Sequence, residues 1–89
     1  LEAIIRSLAF ELAPLKITAN CIQAGVTNTE SLRLIPGSDL LIEQAMTRNP
    51  NKRLTTVEDV ANAVYLLTKP EANWINGAVI PVDGGEHLR

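Results

Sequence analysis

The sequence predicts an α/β fold built on parallel strands. Two stretches carry apolar residues at helical spacing, and each is followed beyond a proline by a short run suited to a strand. Strands joined through helical connections lie parallel, because a tight hairpin cannot link them.

The first helix is expected over residues 1–13 (LEAIIRSLAFELA). Its residues are strong helix formers, and Leu1, Ile4, Ile5, Leu8, Ala9 and Leu12 recur at the i, i+3, i+4 and i+7 positions of a buried face. Pro14 ends it. Residues 17–22 (ITANCI) follow as a short strand, bounded by Lys16 and by Gln23-Ala24-Gly25. Residues 26–51 form a long excursion with weaker patterning. Pro36-Gly37 marks a turn there, and Ser38 or Asp39 is placed to cap a short helix reaching Ala45 or Met46, stopped by Asn49-Pro50. Thr55-Thr56-Val57-Glu58 has the spacing of a capping box, Thr55 facing Glu58, and opens a helix expected to run to Lys69 before Pro70. Its apolar stripe is Val57, Val60, Ala61, Val64 and Leu67. Asn76-Gly77 makes a turn into a second strand at residues 78–82 (AVIPV), which ends in Asp83-Gly84-Gly85.

Leu1 stands inside a helical pattern with no capping residue before it, so sequence upstream is expected. The sheet argues the same way, since a parallel sheet needs more than two strands to cover both faces.

Composition narrows the function. The 89 residues are 46% hydrophobic and carry a formal net charge of −2, with eight basic residues scattered among ten acidic ones, so no basic footprint for nucleic acid is present. No apolar run approaches the roughly 20 residues of a membrane span. Cys21 is the only cysteine, which precludes an internal disulfide and suits a reducing, cytoplasmic compartment. It reads as a small buried strand residue, and His87 as a lone histidine in a polar tail, so no metal site is expected.

Tyr65 and Lys69 stand four residues apart and share a helix face, the arrangement of a catalytic tyrosine and the lysine that lowers its pKa. A simpler reading has Tyr65 bordering the apolar stripe and Lys69 favoured by the negative end of the helix dipole.

The order of these parts, and the strings SLAFELAP, ITANCI, AGVTNT, VEDVANAVYLL and INGAVIPVDGG, resemble the C-terminal third of a short-chain dehydrogenase/reductase. The resemblance implies a Rossmann-type doubly wound parallel sheet, of which residues 1–89 form the C-terminal part with the last two strands. It implies a reductase using NAD or NADP. The excursion wording is most like that of acyl-carrier-protein reductases of fatty-acid synthesis, enoyl reductase first and 3-oxoacyl reductase second. A sugar or polyol dehydrogenase, a non-catalytic dinucleotide-binding regulator and a free-standing interaction module are the alternatives.

By that resemblance, the catalytic lysine falls about three residues before Leu1, and the tyrosine and serine lie further upstream. No catalytic residue is therefore assigned within residues 1–89, and Tyr65 and Lys69 fall on a packing helix. The cofactor contacts implied are Gly25, Val26, Thr27 and Thr29: backbone groups at Thr27 hold the nicotinamide carboxamide, and the Thr29 hydroxyl bonds the carboxamide or the pyrophosphate. Gly25 is expected to let the backbone approach the ring. Most relatives have proline before that glycine. Ala24 stands there in this chain and should leave the loop less rigid. Residues 28–50 match the substrate-binding lid, and Leu32, Leu34, Ile35, Leu40, Leu41, Ile42 and Met46 suit either a cover for an acyl-bearing substrate or packing of the short helix on the core. The family's usual tetramer or dimer contacts would fall on the first helix and on the last helix and strand.

Overall fold

The computed structural model describes residues 1–88. Helix α1 spans Glu2–Leu12 and passes into a 3-10 turn at Ala13–Leu15, where Pro14 is accepted at the start of the turn. Lys16 then reverses the chain in the left-handed region at φ 60°. Strand β1 is Cys21–Ala24, helix α2 Glu30–Arg33, helix α3 Ser38–Arg48, helix α4 Val57–Leu67 and strand β2 Val79–Val82; 3-10 turns follow α4 at Pro70–Ala72 and β2 at Glu86–Leu88.

Strands β1 and β2 are neighbours and parallel, with Cys21 beside Val79 and Ala24 beside Val82. Helix α4 packs on both strands. The path from β1 through α4 to β2 is thus a βαβ unit, as the sequence implies.

Several boundaries differ from the sequence expectation. The first strand starts at Cys21 because residues 17–20 have no strand partner. One backbone bond, from the Gly77 N–H to the Ala19 carbonyl (2.8 Å), and the side chains of Asn76 and Asn20 hold this segment: the Ala19 N–H donates to Asn76 Oδ1 (3.0 Å), the Ala78 N–H to Asn20 Oδ1 (3.0 Å), and Asn20 Nδ2 to the Ile75 carbonyl (3.1 Å). The capping box is one residue further on than expected. Thr56 Oγ1 accepts from the Asp59 N–H at 3.1 Å, and Asp59 Oδ2 accepts from the Thr56 N–H at 2.8 Å. Arg53 selects this register by pairing with Asp59 at 2.7 Å, which leaves Thr55 free to pair its backbone with Val26. Helix α3 starts from Gly37 at φ 81° without a side-chain cap and runs to Arg48, beyond Met46. Helix α4 ends at Leu67, so Lys69 lies past its last turn.

Burial is sparse. Ala9 and Ala45 are the buried apolar residues among those described, and no large side chain is fully enclosed. Along α1 the expected face is open, with Leu1, Ile4 and Leu8 exposed and Ile5 and Leu12 half-buried. The sheet-facing stripe of α4 is also rotated from expectation: Val60, Ala63 and Leu67 are half-buried, while Val57, Ala61 and Val64 are exposed. Cys21 is half-buried rather than buried. The radius of gyration is 15.4 Å, against about 12 Å for a compact chain of this length. Polar stitching at the two ends of the sheet, more than an apolar core, holds these elements together.

Candidate functional site

The carboxyl end of β1 releases the loop Gly25-Val26-Thr27-Asn28-Thr29 beside the residues that follow β2. In an open α/β sheet this edge is where ligands bind. The Gly25 N–H bonds the Val82 carbonyl at 3.2 Å, which carries the strand pairing one step further.

Gly25 stands at a crowded corner of the chain. A Cβ there would lie 2.8 Å from Asp83 Cβ and 2.8 Å from Thr55 Oγ1. The space is filled from inside the chain, so glycine permits β1, β2 and the entry to α4 to converge.

Val26 is held at both polar groups. Its N–H donates to Glu86 Oε2 at 3.3 Å, and its carbonyl accepts from the Thr55 N–H at 3.1 Å. The Asn28 N–H then donates to the Thr55 carbonyl at 2.8 Å, forming a one-residue parallel bridge between Thr27 and Thr55. All peptide bonds are trans, so groups across each peptide unit point in opposite directions. Fixing the Val26 carbonyl and the Asn28 N–H on Thr55 therefore turns the Thr27 N–H and carbonyl to the other side. Among the described residues, neither of those two groups has a hydrogen-bond partner. They form a donor and an acceptor side by side on a half-buried residue.

The side chains of the two threonines have local roles. Thr27 Oγ1 donates to the Gly25 carbonyl at 2.9 Å and tightens the turn. Thr29 Oγ1 accepts from the Leu32 N–H at 3.1 Å and caps α2, while its own proton remains free to donate. Asn28 Oδ1 accepts from Arg33, which ties the loop to α2.

Beyond β2, Gly84 and Gly85 take φ of 62° and 94°, which makes the turn tight as expected. Asp83 organises this turn, a role not evident in the sequence. Oδ1 accepts from the Gly85 N–H at 3.0 Å, and Oδ2 accepts from the His87 N–H at 3.2 Å and faces His87 Nδ1 at 2.7 Å. His87 is therefore a partner of Asp83 and not a lone tail residue. Burial raises the Asp83 pKa, but the bond from the Gly85 N–H and the contacts with His87 outweigh it and hold the carboxyl below its ordinary value. Asn49, almost wholly buried, donates through Nδ2 to the Asp83 carbonyl at 2.9 Å, and Asn51 Nδ2 donates to the Gly84 carbonyl at 2.8 Å. Asn49, Asn51, Arg53, Thr55, Asp83 and His87 line a cavity of about 410 Å³ on this side. No group of three or more potential metal ligands occurs among the described residues.

Tyr65 and Lys69 lie elsewhere. Helix α4 starts beside Thr27 and leads toward Ile75 and Asn76, which bond Asn20 and Ala19, so its last turns approach the opposite end of the sheet. Tyr65 is exposed, and Lys69 Nζ sits 4.6 Å from the centre of its ring, a surface cation–π contact.

Most apolar residues of the excursion are open to solvent, with Leu32 and Ile42 half-buried. Leu34, Ile35, Leu40, Leu41 and Met46 are exposed, and Ala45 alone is fully enclosed. No helix among the described residues is long and apolar enough to cross a membrane.

A parallel βαβ unit with its polar residues gathered at the strands' carboxyl edge defines a Rossmann-type sheet, a class found in nucleotide-binding enzymes. Residues 1–87 match the family model described as Enoyl-(Acyl carrier protein) reductase. The chain belongs to the short-chain dehydrogenase/reductase family. It is 39% identical over 88 residues to the enoyl-[acyl-carrier-protein] reductase [NADH] FabI of Enterococcus faecalis, covering 99% of this chain and 35% of the relative. It is 37% identical over 86 residues to the peroxisomal 2,4-dienoyl-CoA reductase SPS19 of Saccharomyces cerevisiae, covering 96% of this chain and 29% of the relative. The crystal structure of enoyl-[acyl-carrier-protein] reductase (NADH) from Aquifex aeolicus superposes with a TM-score of 0.90 at 35% identity, covering 100% of this chain and 34% of that one. The chain thus spans about a third of the length of these relatives.

Proposed function

We propose that residues 1–89 are the C-terminal part of a single Rossmann-fold domain in a nicotinamide-dependent reductase acting on an enoyl thioester of acyl-carrier protein. The observation that carries this reading is the unpaired donor and acceptor at Thr27, aimed away from Thr55 at the ligand-binding edge of the sheet. A primary carboxamide offers a complementary carbonyl and NH₂, so the residues present fit the nicotinamide of NAD or NADP. The Thr29 hydroxyl is a third contact, to the carboxamide or the pyrophosphate. Gly25 and Val26 act by holding Thr27 in place. When bound, the dinucleotide supplies hydride to the substrate carbon.

The catalytic tyrosine, lysine and serine are assigned to sequence preceding Leu1. Residues 28–50 form the substrate lid. Their exposed leucines and isoleucine suit an acyl chain, the purpose that burial against the core would have excluded. The exposed apolar residues of α1 and α4 suit contacts within a homo-tetramer. We assign the protein to the cytoplasm, with no nucleic-acid or membrane partner.

A 3-oxoacyl thioester is the second substrate reading, favoured by 42% identity over 81 residues to the 3-oxoacyl-[acyl-carrier-protein] reductase MabA of Mycobacterium tuberculosis. A dienoyl thioester is the third, favoured by the yeast relative. Sugar or polyol oxidation is the least supported, and a non-catalytic dinucleotide-binding regulator remains the reading if turnover is absent. The test uses the protein that carries this chain together with its upstream sequence. Oxidation of NADH and of NADPH is followed with enoyl, 3-oxoacyl and dienoyl thioesters in parallel. Fastest turnover of the enoyl substrate is expected. Preference for another thioester reassigns the substrate, and absence of dinucleotide binding overturns the reading altogether.

A further inference from the structure

We infer that Glu86 is a positioning residue for the nicotinamide pocket, an assignment that rests on the reading just given. The loop that carries Thr27 is separated from the C-terminal turn by 60 residues of sequence, yet Glu86 Oε2 accepts the Val26 N–H directly.

Three observations make this bond more than an incidental contact. The turn that presents Glu86 is itself fixed, because the Glu86 N–H donates to the Asp83 carbonyl at 3.1 Å, the Leu88 N–H donates to the Gly85 carbonyl at 3.0 Å, and the Asp83 carboxylate holds the N–H groups of Gly85 and His87. The bond also completes the fixing of Val26, whose carbonyl is already held by Thr55. With both peptide units around Val26 fixed, the direction of the Thr27 N–H is set from two sides.

The third observation concerns the other oxygen. Glu86 Oε1 is buried and has no hydrogen-bond partner among the described residues. An unsatisfied buried oxygen costs as much as a single bond to a charged acceptor returns. Stability alone therefore does not account for a carboxylate at this position, whereas orientation of the Val26 peptide does.

The experiment compares Glu86→Ala and Glu86→Gln with the parent in the complete protein, titrating NADH, NADPH and ADP-ribose. ADP-ribose lacks the nicotinamide ring but keeps the rest of that half of the cofactor. Glu86→Ala is expected to weaken the better-bound dinucleotide roughly tenfold, the effect of losing one charge-assisted contact. ADP-ribose affinity should stay unchanged, and Glu86→Gln, which keeps an acceptor oxygen, should restore most of the dinucleotide affinity. Equal weakening of both ligands, or no change in either, overturns the positioning role while leaving the proposed function intact. A parent protein that binds ADP-ribose and neither dinucleotide overturns both.

Discussion

At the amino end of the sheet, Asn20 and Asn76 join the approach to β1, the turn before β2 and the Ala9 carbonyl of α1, with each amide making two or more bonds. At the carboxyl end, Asn49 and Asn51 do similar work, fixing Asp83 and Gly84. The ends differ in what is left over. Among the described residues, the buried side-chain atoms without partners, Thr55 Oγ1 and Glu86 Oε1, are both at the carboxyl end, as are the free backbone groups of Thr27. Buried polar groups are normally satisfied, so unused ones mark where another molecule or another part of the protein is to be met. Stitching alone does not identify a site. Residual bonding capacity next to stitching does.

The largest expected effect comes from closing the gap that the carboxyl end depends on. Gly25→Ala places a methyl against Asp83 and Thr55 and should lower stability by about 3 kcal/mol, with loss of dinucleotide binding, measured by urea unfolding and ligand titration of the complete protein. Retained stability would show that the strands part easily and would weaken the contrast. An intermediate effect is expected at the other end. Asn20→Ala removes two bonds and should cost about 1–2 kcal/mol in the same unfolding assay, with unchanged dinucleotide affinity. A fall in affinity would mean that the two ends are not independent. The smallest effect is expected for Tyr65→Phe. The ring that stacks with Lys69 is kept, so stability should change by less than about 0.5 kcal/mol and kcat should not change. A loss of activity by orders of magnitude would move the chemistry onto α4.

The topology was legible because it rests on periodicity: the helical spacing in residues 1–13 and 57–67, and the two β-rich runs between proline and glycine punctuation. The boundaries were less so, for identifiable reasons. Two adjacent threonines, each with an acidic residue three positions on, offer two capping boxes, and the choice of Thr56 over Thr55 depends on Arg53 and on the Val26 pairing. Asn20 and Asn76 substitute for strand pairing through side chains, which no strand propensity encodes. At the candidate site, Gly25 and Thr27 were visible in the short string AGVTNT, whereas the roles of Glu86 and Asn49 depend on contacts across 60 and 34 residues. A polar residue in a tail carries no local signal that it will meet a distant loop.

The close approach at Gly25 has an evolutionary consequence. Positions 25, 55 and 83 share one small volume, so side-chain size at each is conditional on the other two. A residue larger than glycine at 25 becomes admissible only in a background where 55 or 83 has already shrunk, and mutational paths through this corner of the protein are epistatic. Random libraries that vary the three positions together should recover compensated combinations that single-site scans would discard.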